Sequence, residues 1–165
     1  SEGKMRYWVM KSEPKSYSID DFEEEKITPW EGVRNYQARN FMMWEMSVGD
    51  LLIFYHSNTP PLGAAGVGKV VSAPYPDPTA LDPASRYFDP RASLKRPIWY
   101  LIEIAFVYRF AHFVPLCEMR SEPLLEGNML VRKASRLSVQ PLTEEGFHAI
   151  CAMGQDRKTD PCPIG

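Results

Sequence analysis

PWEGVRNYQARN, residues 29–40, is the stretch on which the reading of this chain turns. Pro29 and Gly32 punctuate it, because one removes a backbone donor and the other relaxes the backbone into a turn. Trp30 therefore stands on a Gly-containing turn, and the good helix formers after Asn35 predict a helix over residues 35–46, with Tyr36, Phe41, Met42 and Met43 at helical spacing. A large aromatic face beside the first unpaired N–H groups of a helix makes one wall of a pocket for a planar polar ligand.

Upstream, the aromatic and branched run RYWVMK at 6–11 predicts a first strand, stopped by Ser12, Glu13 and Pro14. Ser18 ahead of IDDFEEEK has the N-cap position, with Asp21 three residues on, so a short helix follows. Downstream, LLIFYHS is a continuous apolar run bounded by turn residues, and GAAGVGKVVSA is a Gly-rich run ending in branched residues. The two predict paired strands joined by a loop. Gly63, Gly66 and Gly68 lack the spacing of a phosphate-binding loop and are read as bends in a strand.

Residues 74–97 are proline-dense and oppose both helix and central strand, so they form a long irregular excursion, either a lid or a surface wrap. Strands resume at 98–110, and NMLVRKA and LSVQPL are shorter strand candidates; Glu118 and Met119 fall in a brief helix after Pro115. Thr143 caps a last amphipathic helix to about Met153, and the tail from 155 is read as frayed. The sum is one α+β domain over 1–165, a mixed β-barrel of about five or six strands flanked by short helices; residues 1–4 are read as a cloning remnant.

Composition bounds the function. No run approaches the roughly 20 apolar residues of a membrane span, and no secretory signal core is present. Cys117, Cys151 and Cys162 are odd in number and unpaired in spacing, so free thiols in an intracellular protein are expected. His56, His112 and His148 are too scattered to hold a metal, and no nucleophile–base arrangement is recognisable; no catalytic residue, metal or cofactor is expected. A formal net charge of −2 gives no global basic field, so any grip on nucleic acid falls to a local patch. Arg and Lys residues interleaved with aromatics, among them Arg39, Arg91, Lys95 and Arg96, could form one, or could be ordinary scattered surface charge.

The stretch WEGVRNYQARNF at 30–41 resembles the EVE domain family of the thymocyte nuclear protein type. YWVMKSEP at 7–14, FYHSN at 54–58, APYPDP at 73–78 and RLSVQPLT at 136–143 agree with it in order, so the resemblance spans nearly the whole chain. It implies a PUA-like barrel related to YTH domains that recognises a modified nucleobase, a modified cytosine in DNA above all, with RNA as the alternative. It also implies a pocket: Trp30 as aromatic wall, Ser12, Val33, Arg34, Asn35 and Tyr36 beside it, Tyr55, His56, Ser57 and Asn58 as polar edges, and Arg136 at the mouth. Trp30 also has a reading as a core residue, Tyr36 and Tyr55 as barrel packing, and His56 as a satisfied histidine. A hydrolase acting on a modified nucleoside and a protein-interaction module are the rival classes. The expected partner is a nucleic acid with a modified base and not a membrane; the expected state is a monomer, cytoplasmic in a bacterium and nuclear in a eukaryote.

Overall fold

The structure, a computed structural model, describes residues 4–132 and 137–155. Its first strand, β1 (Tyr7–Ser12), leads to α1 (Ile19–Glu25), whose Ser18 hydroxyl accepts from the Asp21 N–H while the Asp21 carboxylate accepts from the Ser18 N–H. A short strand, β2 (Ile27–Pro29), precedes α2 (Tyr36–Asn40), capped by the Asn35 side chain and continued by a π-helical turn at Phe41–Glu45. Strands β3 (Leu51–His56) and β4 (Gly63–Val70) follow. The excursion contains one minor pairing, β5 (Tyr75–Pro76) with β6 (Tyr100–Leu101), and a 3-10 turn at Pro78–Leu81. The long β7 (Glu103–Pro115) then runs into α3 (Leu116–Arg120), and β8 (Val139–Leu142) and α4 (Glu144–Gln155) complete the chain.

Six strands make one sheet in the order β2-β7-β4-β3-β1-β8, curled into a half-barrel. Among the described residues only β1 and β3 run parallel, because the chain between them crosses over through α1, β2 and α2. The apolar run of β3 is explained by burial on both faces. Leu52 and Phe54 join Trp8, Met10, Phe22 and Val33 on one side, and Ile53 and Tyr55 join Val9, Val67, Phe147 and Ile150 on the other. In β4 a Cβ on Gly66 would lie 2.7 Å from the Tyr108 carbonyl oxygen, at a register shift against β7, so the glycine permits the bulge that curls the sheet.

Several expectations are corrected. The described part of NMLVRKA, residues 128–132, is not a strand: Met129–Val131 form a 3-10 turn, since Asn128 in the preceding loop ties to Thr143 instead of to a neighbouring strand. Cys117 is disulfide-bonded, while Cys151 is a free thiol; the separation of sulfurs in the fold is not readable from spacing in the chain. Arg136, Cys162, the first three residues and the tail beyond Gln155 lie outside the described residues. Among the described residues no helix is long and apolar enough to cross a membrane.

Candidate functional site: a cleft beside Trp30

The end of β2 carries the chain to the site. The Trp30 N–H donates to the Ile102 carbonyl at 2.8 Å, which extends the β2–β7 pairing by one residue and fixes where the indole starts. The half-buried ring stands edge-on to Phe54, with centroids 6.0 Å apart, so the core supports one side and leaves another to the cleft. Gly32 then turns at φ +83°, and its N–H donates to the buried Asp77 at 2.9 Å. The Tyr87 ring lies where a Gly32 side chain would begin: an added Cβ would sit 2.6 Å from it.

Arg34 fastens the excursion to this turn. Its Nη1 donates to Asp77 at 3.1 Å and to the Val33 carbonyl at 2.8 Å, its Nη2 to Thr79 Oγ1 and the Tyr87 carbonyl, and its Nε to that same carbonyl. Burial pushes the Asp77 carboxyl up, but hydrogen bonds from Thr79, the Gly32 N–H and Arg34 outweigh it, and the net shift is downward. The charged pair is thus settled in its ionised form.

The cleft enclosed this way has a volume of about 800 Å³. One side is the Trp30 turn with Val33, Arg86 and Tyr87; the other is Ser12 at the end of β1, Tyr17 and Ser138. The Lys11 N–H donates to the Ser138 carbonyl at 2.8 Å, which sets the second serine next to the first. Ser12 Oγ donates to the Tyr17 carbonyl at 2.6 Å, leaving its lone pairs to accept. Glu13, Glu25 and Glu31 stand on the rim. Burial, and next the negative charge of Asp77, push the Glu31 carboxyl up, against Arg34.

Of the described residues named from sequence, Ser12, Trp30, Val33 and Arg34 line this cleft together, and Asn35, Tyr36, Tyr55, His56, Ser57 and Asn58 are not in its lining. Asn35 is spent as the helix cap, accepting from the Ala38 N–H at 3.0 Å. Tyr36 lies outside, stacked on Trp99 with centroids 4.8 Å apart. Tyr55 faces the opposite side of the sheet, where burial pushes its phenol up to about 12. His56 accepts from the Ile19 N–H at 3.1 Å through Nε2 and so holds the start of α1; it is the satisfied histidine. Ser57 hydrogen-bonds back to the Ser12 carbonyl, and Asn58 is an exposed turn residue at φ +68°. The alternation of β3 explains these misses, since successive residues of FYHSN cannot all face one cleft. Sequence reading missed Tyr17, Tyr87 and Ser138. Asp77 was quoted only as part of a motif, and its burial 43 residues from Arg34 has no local signal.

The match to known proteins accords with this geometry. The EVE domain model matches residues 6–153, nearly the whole described chain. The chain belongs to the EVE domain family. This EVE domain is 37% identical to human thymocyte nuclear protein 1 over 167 residues, covering 89% of this chain and 73% of that protein. It is similar to a solved protein from Pseudomonas syringae, at 47% identity and a TM-score of 0.85 over 90% of this chain and 99% of that one. It is also similar to human THYN1 solved in complex with 5-methylcytosine containing DNA, at 35% identity and a TM-score of 0.83, covering 94% and 99% of the two chains. The YTH domain of a Zygosaccharomyces rouxii protein shares the fold of this EVE domain, with a TM-score of 0.57 at 14% identity.

Proposed function

We propose that this EVE domain is a non-catalytic reader of a modified base, a modified cytosine in DNA, taken out of its stack into the Trp30 cleft. The observation that carries the reading is the cleft itself, an indole supported edge-on from the core and faced by serines, in a fold that THYN1 shares in its complex with 5-methylcytosine DNA. A base leaving a duplex loses its stacking, and an aromatic face returns about 1–3 kcal/mol of it. The carboxylates on the rim match cytosine in sign, since its exocyclic amine donates and a glutamate accepts. Such a reader works where the nucleic acid is, in the nucleus of a eukaryote or the cytoplasm of a bacterium.

The test is binding of the domain and of Trp30→Ala to matched oligonucleotides at one salt concentration. The set carries unmodified, methylated, hydroxymethylated or formylated cytosine, or methylated adenine. The expected result is a preference for a modified cytosine that Trp30→Ala loses, with affinity for that oligonucleotide falling roughly five- to 150-fold, the equivalent of the stacking energy. Equal affinity across the panel for the unaltered domain overturns the reading.

A further inference from the structure

The cleft leaves the strand's phosphates unaccounted for. Its lining sets Glu13, Glu25 and Glu31 against Lys11 and Arg86, whose guanidinium donates to the Tyr87 hydroxyl, and the guanidinium of Arg34 is occupied by Asp77, Thr79 and Tyr87, so the cleft can take a base but has no excess of positive charge to hold the chain on which the base hangs. A second hollow, of about 370 Å³, has the opposite character: Arg39, Arg91 and Arg96 line it with Tyr36 and Ile98. The Asp89 carboxylate answers Arg91 at 2.9 Å. The Arg96 side chain has no hydrogen-bond or ion-pair partner among the described residues, and Arg39 spends its Nη1 on the Ile98 carbonyl and its Nε and Nη2 on Asn40, a neutral acceptor. Three guanidinium groups against one carboxylate leave a local excess of positive charge in a chain whose formal net charge is −2.

Aromatic rings connect the two hollows. Tyr36, with about half its surface exposed, stacks on Trp99, and Arg39 lies 4.8 Å from the Tyr36 ring centroid. The Arg34 guanidinium sits 5.3 Å from the Trp99 ring and 5.6 Å from the ring of Tyr87, which lines the cleft. The Arg34 guanidinium and the Trp99 ring thus link the base-sized cleft to the arginine-lined hollow. The pairing of a half-exposed aromatic ring with guanidinium groups that outnumber their carboxylate is the combination that grips single-stranded backbone.

We infer that the hollow formed by Tyr36, Arg39, Arg91 and Arg96 is the phosphate-binding subsite of this domain, holding the backbone of the same DNA strand next to the base in the Trp30 cleft. The inference rests on the reader function proposed above, and it divides the work: the cleft selects the modification, and the hollow supplies affinity without regard to it.

The experiment measures affinity for modified and unmodified oligonucleotides over a series of salt concentrations, for the unaltered domain, Arg96→Ala and Arg91→Gln, with thermal melting to verify folding. Arg96 is exposed, so its replacement leaves the fold intact. Each replacement is expected to weaken binding to both oligonucleotides by the same factor, to lower the slope of log K against log salt by about one, and to leave the modified-to-unmodified ratio unchanged. Unchanged affinity and slope in both variants, with selectivity intact in the unaltered domain, overturn the subsite and spare the reader function. A domain that binds without selectivity, yet weakens in both variants, overturns the reader function and supports the subsite as a nonspecific backbone contact. Displacement of the oligonucleotide by inorganic phosphate at matched ionic strength identifies an isolated anion hole and overturns the strand-holding role.

Discussion

Arg34 and Asp77, 43 residues apart, form an ion pair at 3.1 Å beneath the Trp30 turn, and the same Asp77 oxygen accepts the Gly32 N–H. Through this pair the proline-dense excursion becomes the second wall of the cleft. Removing one partner of such a pair strands the other, which costs more than the pair contributes. Asp77→Ala is expected to destabilise the domain by about 3 kcal/mol, seen as a lower urea midpoint at unchanged slope. Because the folded Asp77 carboxyl lies below its ordinary value, its contribution is present above the usual carboxylate range and is lost as pH falls through the lowered value. Asp77→Asn should therefore flatten the acid limb of the stability profile; an unchanged acid limb would show that the pair contributes nothing there.

Arg34→Lys keeps the charge but not the fork. A lysine ammonium cannot reach Asp77, Thr79 and the Tyr87 carbonyl together, so about 1–3 kcal/mol of stability should be lost. Base selectivity should fall with it as the Tyr87 wall loosens. A variant with wild-type melting and wild-type selectivity contradicts the fastening role.

Gly32 and Gly49 both have positive φ, at +83° and +101°, but differ in surroundings: Tyr87 crowds the first, and nothing lies within 4 Å of a Cβ at the second. Gly49→Ala should cost about 1–2 kcal/mol, the price of the backbone conformation alone. Gly32→Ala should cost more and should also weaken oligonucleotide binding, because the ring must leave the cleft wall. Equal losses in thermal melting and binding would mean that the Tyr87 contact is idle.

His56 titrates below its ordinary value, chiefly because burial disfavours the cation, with Arg109 adding to the shift and Asp20 and Glu13 opposing it. A depressed histidine contributes stability that is whole above its unfolded pKa of about 6.5 and declines as pH falls through that value toward the folded one. His56→Leu is expected to lose about 1–3 kcal/mol at neutral pH by stranding the Ile19 N–H, and to lose the decline between neutral and mildly acidic pH. Urea unfolding at two pH values reads both.

What the sequence made legible was local chemistry. Ser18 with Asp21, Asn35 ahead of its helix and Thr143 ahead of α4 each place a short polar side chain where backbone donors need one, and all three do so in the structure. The strands at 51–56 and 63–70 were equally plain, and Ser12, Trp30, Val33 and Arg34 were found as cleft residues. What was not legible depended on side-chain direction and long-range contact. Tyr55 and His56 follow Phe54 in the chain but answer to different surroundings, and Tyr17, Tyr87 and Ser138 come to the cleft from three remote segments. Residues 74–97 offered no periodicity because their order comes from Arg34 and the Asp89 contacts to Trp99 and Arg91.

The neighbours of β1 have a bearing on how the protein comes into being. Tyr7 pairs with Leu51 on one side and with Leu142 on the other, so β1, the first strand of this sheet to be synthesised, finds its outer partner only when nearly the whole domain has been made. Until then one edge of β1 is bare, and a nascent chain stalled before residue 139 exposes Val9 and Met10 without the cover that β8 provides.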